Sequence, residues 1–183
     1  IEQAISEIQG KEFAQQGARP IGPEERLGGL EIQQVVQRLS RVTERPGLPS
    51  RAYLYTDDDP NAAALADGRI YLSTGMVHYL VRRGGRPDEL AYIVGHELAH
   101  TVAQHLVKQT RRHNQQQLLM TAVTLGTMAL TRGASANVQQ AGQWALDAAG
   151  VLEDVANSGY SQEHEFEADQ LGIRYVIRAG YNP

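Results

Sequence analysis

From Leu30 to Val42 the apolar residues Ile32, Val35, Val36, Leu39 and Val42 recur at three- and four-residue intervals among Gln, Arg and Glu. That spacing gathers them on one side of a helix, which ends before Pro46-Gly47. Arg51 to Thr56 is short, rich in Tyr and Leu, and bounded by Pro49-Ser50 and Asp57-Asp58-Asp59-Pro60, which predicts a strand. Asn61 to Ala66 and Arg69 to Ser73 are two more extended runs joined by Asp67-Gly68. A two-residue Asp-Gly step of this kind predicts a hairpin with both turn positions at φ > 0.

Helical patterning takes over after Ser73. One helix is expected from about Ser73 to Val81, closed by Gly84-Gly85. Pro87, Asp88 and Glu89 then supply the proline and first-turn acids that open a second, running to about Lys108. Its residues Leu90, Ala91, Ile93, Val94, Leu98, Ala99, Val102 and Leu106 make it apolar on most sides, so it belongs in the interior. Residues 111–157 are rich in Gln, Ala, Gly and Thr; they read as helical with a break near Arg132-Gly133, and as a candidate cover for an active site. Ser161 is placed to cap a last helix from Gln162 to about Arg178, with Phe166, Leu171, Ile173, Val176 and Ile177 as its expected core contacts. The pair Asn182-Pro183 has the character of a cap and first turn, which predicts a further helix beyond it.

Length and composition narrow the class. The 183 residues suit one domain, taken as residues 1–183. A hydrophobic fraction of 42% and a formal charge of −4 are those of a globular protein. Basic residues occur only as short pairs such as Arg82-Arg83 and Arg111-Arg112, so no stripe is present to track nucleic acid. With no cysteine, thiolate metal sites and thiol nucleophiles drop out together. The longest apolar run, Leu118 to Leu130, is broken by Thr121, Thr124, Gly126 and Thr127 and falls short of the roughly 20 residues of a membrane span.

The chemistry lies at His96-Glu97-Leu98-Ala99-His100. On a helix the i,i+4 spacing points both imidazoles to one side, where two nitrogens can reach one Zn²⁺. Glu97 lies about 100° round from His96 and can serve a water as general base without itself ligating the metal. Burying two histidines and a carboxylate among Ile93, Val94 and Leu98 is costly unless they are paired or bind metal, which weighs against an accidental match. A third ligand is sought among the acids between Ser161 and Gly172. Glu165 and Asp169 share a helix face, so Glu165 can bind metal while Asp169 holds a ligand histidine; Glu163 and Glu167 lie about 200° away and read as solvated. His105, His164, His78 and His113 fit no ligand pattern and read as packing or surface residues.

HELAH followed by Glu165-Phe166-Glu167-Ala168-Asp169 resembles the ExxxD-bearing gluzincins, specifically the HtpX, Oma and CAAX-prenyl-protease family of zinc metallopeptidases. Asn61-Ala62-Ala63-Ala64 with the turn after it, Gly75-Met76, and Ala179-Gly180-Tyr181-Asn182-Pro183 are similar to further motifs of that family, so the resemblance spans about Leu48 to Pro183. It implies an α+β, zincin-like fold, mainly helical, with a small antiparallel sheet and the HExxH helix buried. It implies that His96, His100 and Glu165 hold one Zn²⁺, that Glu97 is the base, and that Asp169 orients His96. It also makes Asn61 to Ala66 an edge strand beside the substrate, with Asn61, Ala62, Ala63 and Ala64 as binding residues. Departures fall at Ala63, where the family often has an aromatic, at Ala66-Asp67, where it has Pro-Gly, and at Gln162, where it has Arg; none removes a catalytic group.

The expected activity is that of a zinc endopeptidase acting on extended, unfolded or damaged polypeptides. The alternatives are a zinc-containing chaperone or scaffold with little proteolysis, and a helical binding module in which the motif is decorative. By analogy with soluble members of the family, the expected location is the bacterial cell envelope, in the periplasm.

Overall fold

The computed structural model describes residues 2–113 and 159–183. Most of the 111–157 stretch read as a cover, with its break near Arg132, lies outside them. The described elements are α1 (Glu2–Gln15), β1 (Arg19–Pro20), α2 (Ile32–Ser40), β2 (Arg51–Tyr55), β3 (Ala62–Ala64), β4 (Arg69–Ser73), α3 (Thr74–Arg82), α4 (Pro87–Val102) and α5 (Gln162–Arg178). Two compact units are present: Ile1–Gln104 with Ser161–Pro183, and His105–Tyr160. In the second, residues 105–113 are helical and the His105 ring lies 6.0 Å from that of Tyr160.

The first unit is built on a four-stranded sheet of order β1-β2-β4-β3. The sheet is small, as expected, and mixed: β1 and β3 pair antiparallel with their neighbours, whereas β2 and β4 run parallel. The chain reverses between β2 and β3 and again between β3 and β4, so β2 and β4 run in the same direction, with no other strand between them. The β3–β4 turn also differs from the expected two-residue form. Leu65 N–H donates to Arg69 O at 2.8 Å and Gly68 N–H to Leu65 O at 3.0 Å, so three residues make the loop. Only Gly68, at φ +95°, is left-handed, while Asp67 accepts from the Arg69 N–H at 3.2 Å. Glycine meets that single demand without the cost a side chain carries there.

One face of the sheet packs on the helices. Ala52, Ile70 and Leu72 join Val36 and Leu39 of α2, Leu90, Val94 and Leu98 of α4, and Ala168, Tyr175 and Val176 of α5 in one core. The alternate residues Tyr53, Tyr55 and Tyr71 point to the other face, as strand geometry requires. There Phe13 of α1 stacks on Tyr71 at 4.1 Å. Serine caps start both α3 and α5: Ser73 accepts from Met76 N–H and Ser161 from His164 N–H.

Two expectations about helices change. The HExxH helix is buried as expected but ends at Val102, not near Lys108: Gln104 takes φ +57° and the chain turns before 105–113. On α5, Val176 is in the core, but Phe166, Ile173 and Ile177 are exposed, Phe166 by 64%. The inner face of α5 is instead made by His164, Ala168, Gly172, Tyr175 and Val176. Small residues there let α5 approach α4 closely, a purpose that larger apolar side chains would defeat.

Candidate metal and catalytic site

The α4 helix starts at Pro87, with Asp88 and Glu89 in its first turn, and carries His96, Glu97 and His100 through its second half. The i,i+4 spacing brings the two imidazoles together, Nε2 to Nε2 at 3.1 Å. From α5, Glu165 places its carboxylate oxygens 3.3 Å from His96 Nε2 and 3.8 Å from His100 Nε2. His96, His100 and Glu165 thus offer three ligand atoms within 4.8 Å of one another, and among the described residues they are the one such group. His100 is buried, whereas Glu165 and His96 remain partly open.

Asp169, one turn after Glu165, lies 2.9 Å from His96 Nδ1. A carboxylate only accepts, so Nδ1 is the donor, and in the neutral ring Nε2 then keeps its lone pair on the side of Glu165 and His100. Tyr92, one turn before His96, donates its hydroxyl to the same Asp169 oxygen at 3.4 Å. Glu163 and Glu167 are exposed and take no part in the group. Neither His105 nor His164 belongs to it. His78 lies on α3, and His113 in the helical stretch 105–113.

Glu97 is partly buried on the side of α4 that packs on β3. Loss of water pushes its carboxyl up to about 8; the backbone N–H of Ala64, donating to it, opposes the rise, and the charge of Glu165 adds to it. Tyr55 is buried nearby, and burial together with the charges of Asp57 and Glu97 pushes its phenol up to about 12.

The strand expected beside the substrate is at the edge of the sheet, paired with β4 alone. Its register fixes which backbone groups are inward. Ser73 N–H donates to Asn61 O and Leu65 N–H to Arg69 O, so Asn61, Ala63 and Leu65 face β4. Ala62 and Ala64 therefore turn their N–H and C=O groups away from the sheet. Reading the sequence missed Tyr92. It stands one helical turn before His96, a spacing that places it on a shared face, but its partner Asp169 is remote in sequence.

The pattern of Peptidase family M48 matches residues 28–183. The beta-barrel assembly-enhancing protease of Yersinia pestis is 28% identical over 137 residues, which are 74% of this chain and 26% of that protein. Metalloprotease LoiP of Escherichia coli is 28% identical over 138 residues, 75% of this chain and 48% of that protein. The mitochondrial metalloendopeptidase OMA1 of Schizosaccharomyces pombe is 26% identical over 159 residues, 84% of this chain and 40% of that protein. The chain thus spans less than half the length of each of these relatives. The family match runs through every described element from α2 to α5, and the chain belongs to peptidase family M48.

Proposed function

We propose that this chain is the catalytic unit of a zinc-dependent endopeptidase that cleaves extended or unfolded polypeptides. The observation that carries the reading is the convergence of His96, His100 and Glu165 beside Glu97. Ligand atoms bonded at about 2.0–2.1 Å to a tetrahedral zinc lie about 3.3 Å apart, and the separations here are 3.1, 3.3 and 3.8 Å. Two imidazoles and one carboxylate also make up a known catalytic zinc set that leaves a position open. A zinc ion held there supplies Lewis acidity, polarising a peptide carbonyl and acidifying water.

The remaining roles belong to the chain itself. Glu97 takes the proton of the attacking water and delivers it to the leaving amine. Asp169 holds the His96 proton on Nδ1 and so keeps Nε2 available as a ligand. The outward N–H and C=O of Ala62 and the outward C=O of Ala64, with Asn61 and Ala63 beside them, form the edge to which an extended peptide adds as a further strand. Main-chain pairing of this kind selects for an unfolded substrate and against no particular sequence.

The names of the beta-barrel assembly-enhancing relatives support a place in the bacterial cell envelope, in the periplasm. Among the described residues no helix is long and apolar enough to cross a membrane. The test is zinc stoichiometry together with casein hydrolysis by wild type and Glu97→Gln. One zinc per chain in both, with hydrolysis in wild type alone, supports the reading. Zinc without hydrolysis in wild type favours a scaffold, and no zinc at all sinks the metal site.

A further inference from the structure

Glu97 and Thr101 stand four residues apart on α4 and so share a helix face, the one packed on β3. Threonine inside or at the end of a helix can turn its hydroxyl back to the carbonyl four residues earlier. Thr110 does so in this chain, donating to Leu106 O at 2.8 Å. Thr101 does not. Its buried hydroxyl reaches out of the helix to Leu65 O at 3.0 Å, a carbonyl that also accepts Gly68 N–H.

Leu65 directly follows Ala64, whose N–H faces away from the sheet by the register of the strand. Two adjacent groups on one helix face therefore meet two adjacent backbone groups of the edge: Thr101 on the Leu65 carbonyl and Glu97 on the Ala64 N–H. Sliding β3 by one residue would break the first contact and turn the inward N–H of Ala63 or Leu65 towards Glu97. Of the outward groups, the Ala62 N–H and C=O and the Ala64 C=O then remain for a peptide, while the Ala64 N–H stays with the carboxylate.

We infer that Thr101 is a positioning residue: its hydroxyl, held on the Leu65 carbonyl, sets the edge strand against the HExxH helix in the register that lays the Ala64 N–H against Glu97. The inference deepens the proposed function, since it rests on Glu97 being the base. It assigns the hydroxyl no contact with substrate.

The test compares Thr101→Val, which keeps the shape and loses the hydroxyl, with Thr101→Ser, which keeps the hydroxyl. The readouts are casein-peptide kinetics, zinc stoichiometry and amide hydrogen exchange by NMR. Thr101→Val is expected to bind zinc as wild type does, to lose about 3- to 10-fold in kcat with KM nearly unchanged, and to exchange the Ala64 amide about ten-fold faster while Ala63 stays protected. Thr101→Ser is expected to restore both. Wild-type exchange and kcat in Thr101→Val, or no rescue by Thr101→Ser, overturn the inference. Should Thr101→Val fail to fold, Glu97→Ala decides, because an Ala64 amide as protected there as in wild type overturns it too. Absence of hydrolysis in wild type would sink the peptidase reading, and the exchange measurement would still decide the contact.

Discussion

Gly95 and Gly172 face each other where α4 crosses α5. A Cβ on Gly172 would lie 2.9 Å from the His96 nitrogen and 3.0 Å from its Cα, and one on Gly95 would lie 3.1 Å from the Gly172 carbonyl oxygen. These neighbours are backbone and cannot swing aside. The close crossing is what lets Glu165 and Asp169, at nearly two turns and about one turn before Gly172, reach the histidines. Gly172→Ala gains up to about 1 kcal/mol in helix propensity but forces the helices apart, at a cost of about 1–3 kcal/mol. The strain should win. We expect a lower thermal midpoint and weaker zinc binding, measured by calorimetry and chelator competition; wild-type zinc affinity would show that the crossing does not set the site.

Asp169 makes its own prediction. With an amide in place of the carboxylate, the group facing His96 Nδ1 can present N–H₂ instead of an acceptor, and the ring loses the partner that fixes its tautomer. Asp169→Asn should therefore lower zinc affinity or turnover by about 10- to 100-fold, the usual range for a partner of a ligand histidine. Unchanged zinc affinity and kcat would leave Asp169 an ordinary surface acid.

The choice of third ligand is tested by two alanines on one helix. Glu165 lies against the ring nitrogens of His96 and His100, whereas Glu167, two residues on, is exposed on another side of α5. Glu165→Ala should lose stoichiometric zinc on dialysis, and Glu167→Ala should retain it. Equal zinc content in the two variants would mean that the wrong carboxylate has been assigned.

The parts of this site that were legible in the sequence are those that a single helix encodes. The i,i+4 spacing of His96 and His100, and of Glu165 and Asp169, fixes which side chains share a face whatever the fold around them. What α5 packs against is not local information. Phe166, Ile173 and Ile177 have core composition yet are exposed, because the crossing at Gly95 and Gly172 selects the face with small residues. The end of α4 escaped notice for a related reason: apolar spacing continues through Leu106, and nothing in Gln104 announces a positive φ. The α1 helix was missed altogether: the helical spacing of Ile1, Ala4, Ile5 and Ile8 is not continued, since Glu12 and Gln15 fall on the same face, and its place depends on contacts such as Ser6 with Asp67 and Arg69.

A pH dependence follows from how α5 is tied to the chain after α2. Tyr175 donates to the Glu44 carboxylate and Arg178 approaches it at 3.2 Å, and these contacts hold Glu44 below the usual carboxylate range. A depressed folded-state value means that the carboxylate stabilises the fold above its unfolded value of about 4.3, and that this contribution is lost as pH falls through the lower folded value. Glu44 is about half exposed, so solvent screening limits the effect to about 1 kcal/mol. Glu44→Gln should melt below wild type at pH 7, and the gap should narrow as pH falls below about 4.3 and vanish below the lower folded value. A gap that persists unchanged at pH 3 would rule out the ionised carboxylate as its source.

The register of β3 turns the edge-strand proposal into a comparison of neighbours. Proline removes a backbone N–H, so its effect depends on which way that N–H points. At Ala63 it points into the ladder opposite Tyr71, and proline there breaks a sheet bond and destabilises the fold. At Ala62 it points outward, where nothing in the sheet needs it, and an edge strand tolerates proline in that position. Ala62→Pro should therefore keep its thermal midpoint within a few degrees of wild type and its zinc, and should raise KM for an unfolded substrate by about 2- to 10-fold, the worth of one main-chain hydrogen bond. Ala63→Pro should instead lower the thermal midpoint clearly. Ala64→Pro separates pairing from chemistry, because the N–H lost there faces Glu97, so its deficit should fall on kcat. If Ala62→Pro cleaves unfolded casein with wild-type KM, peptide does not pair with this edge and the substrate must lie elsewhere along α4.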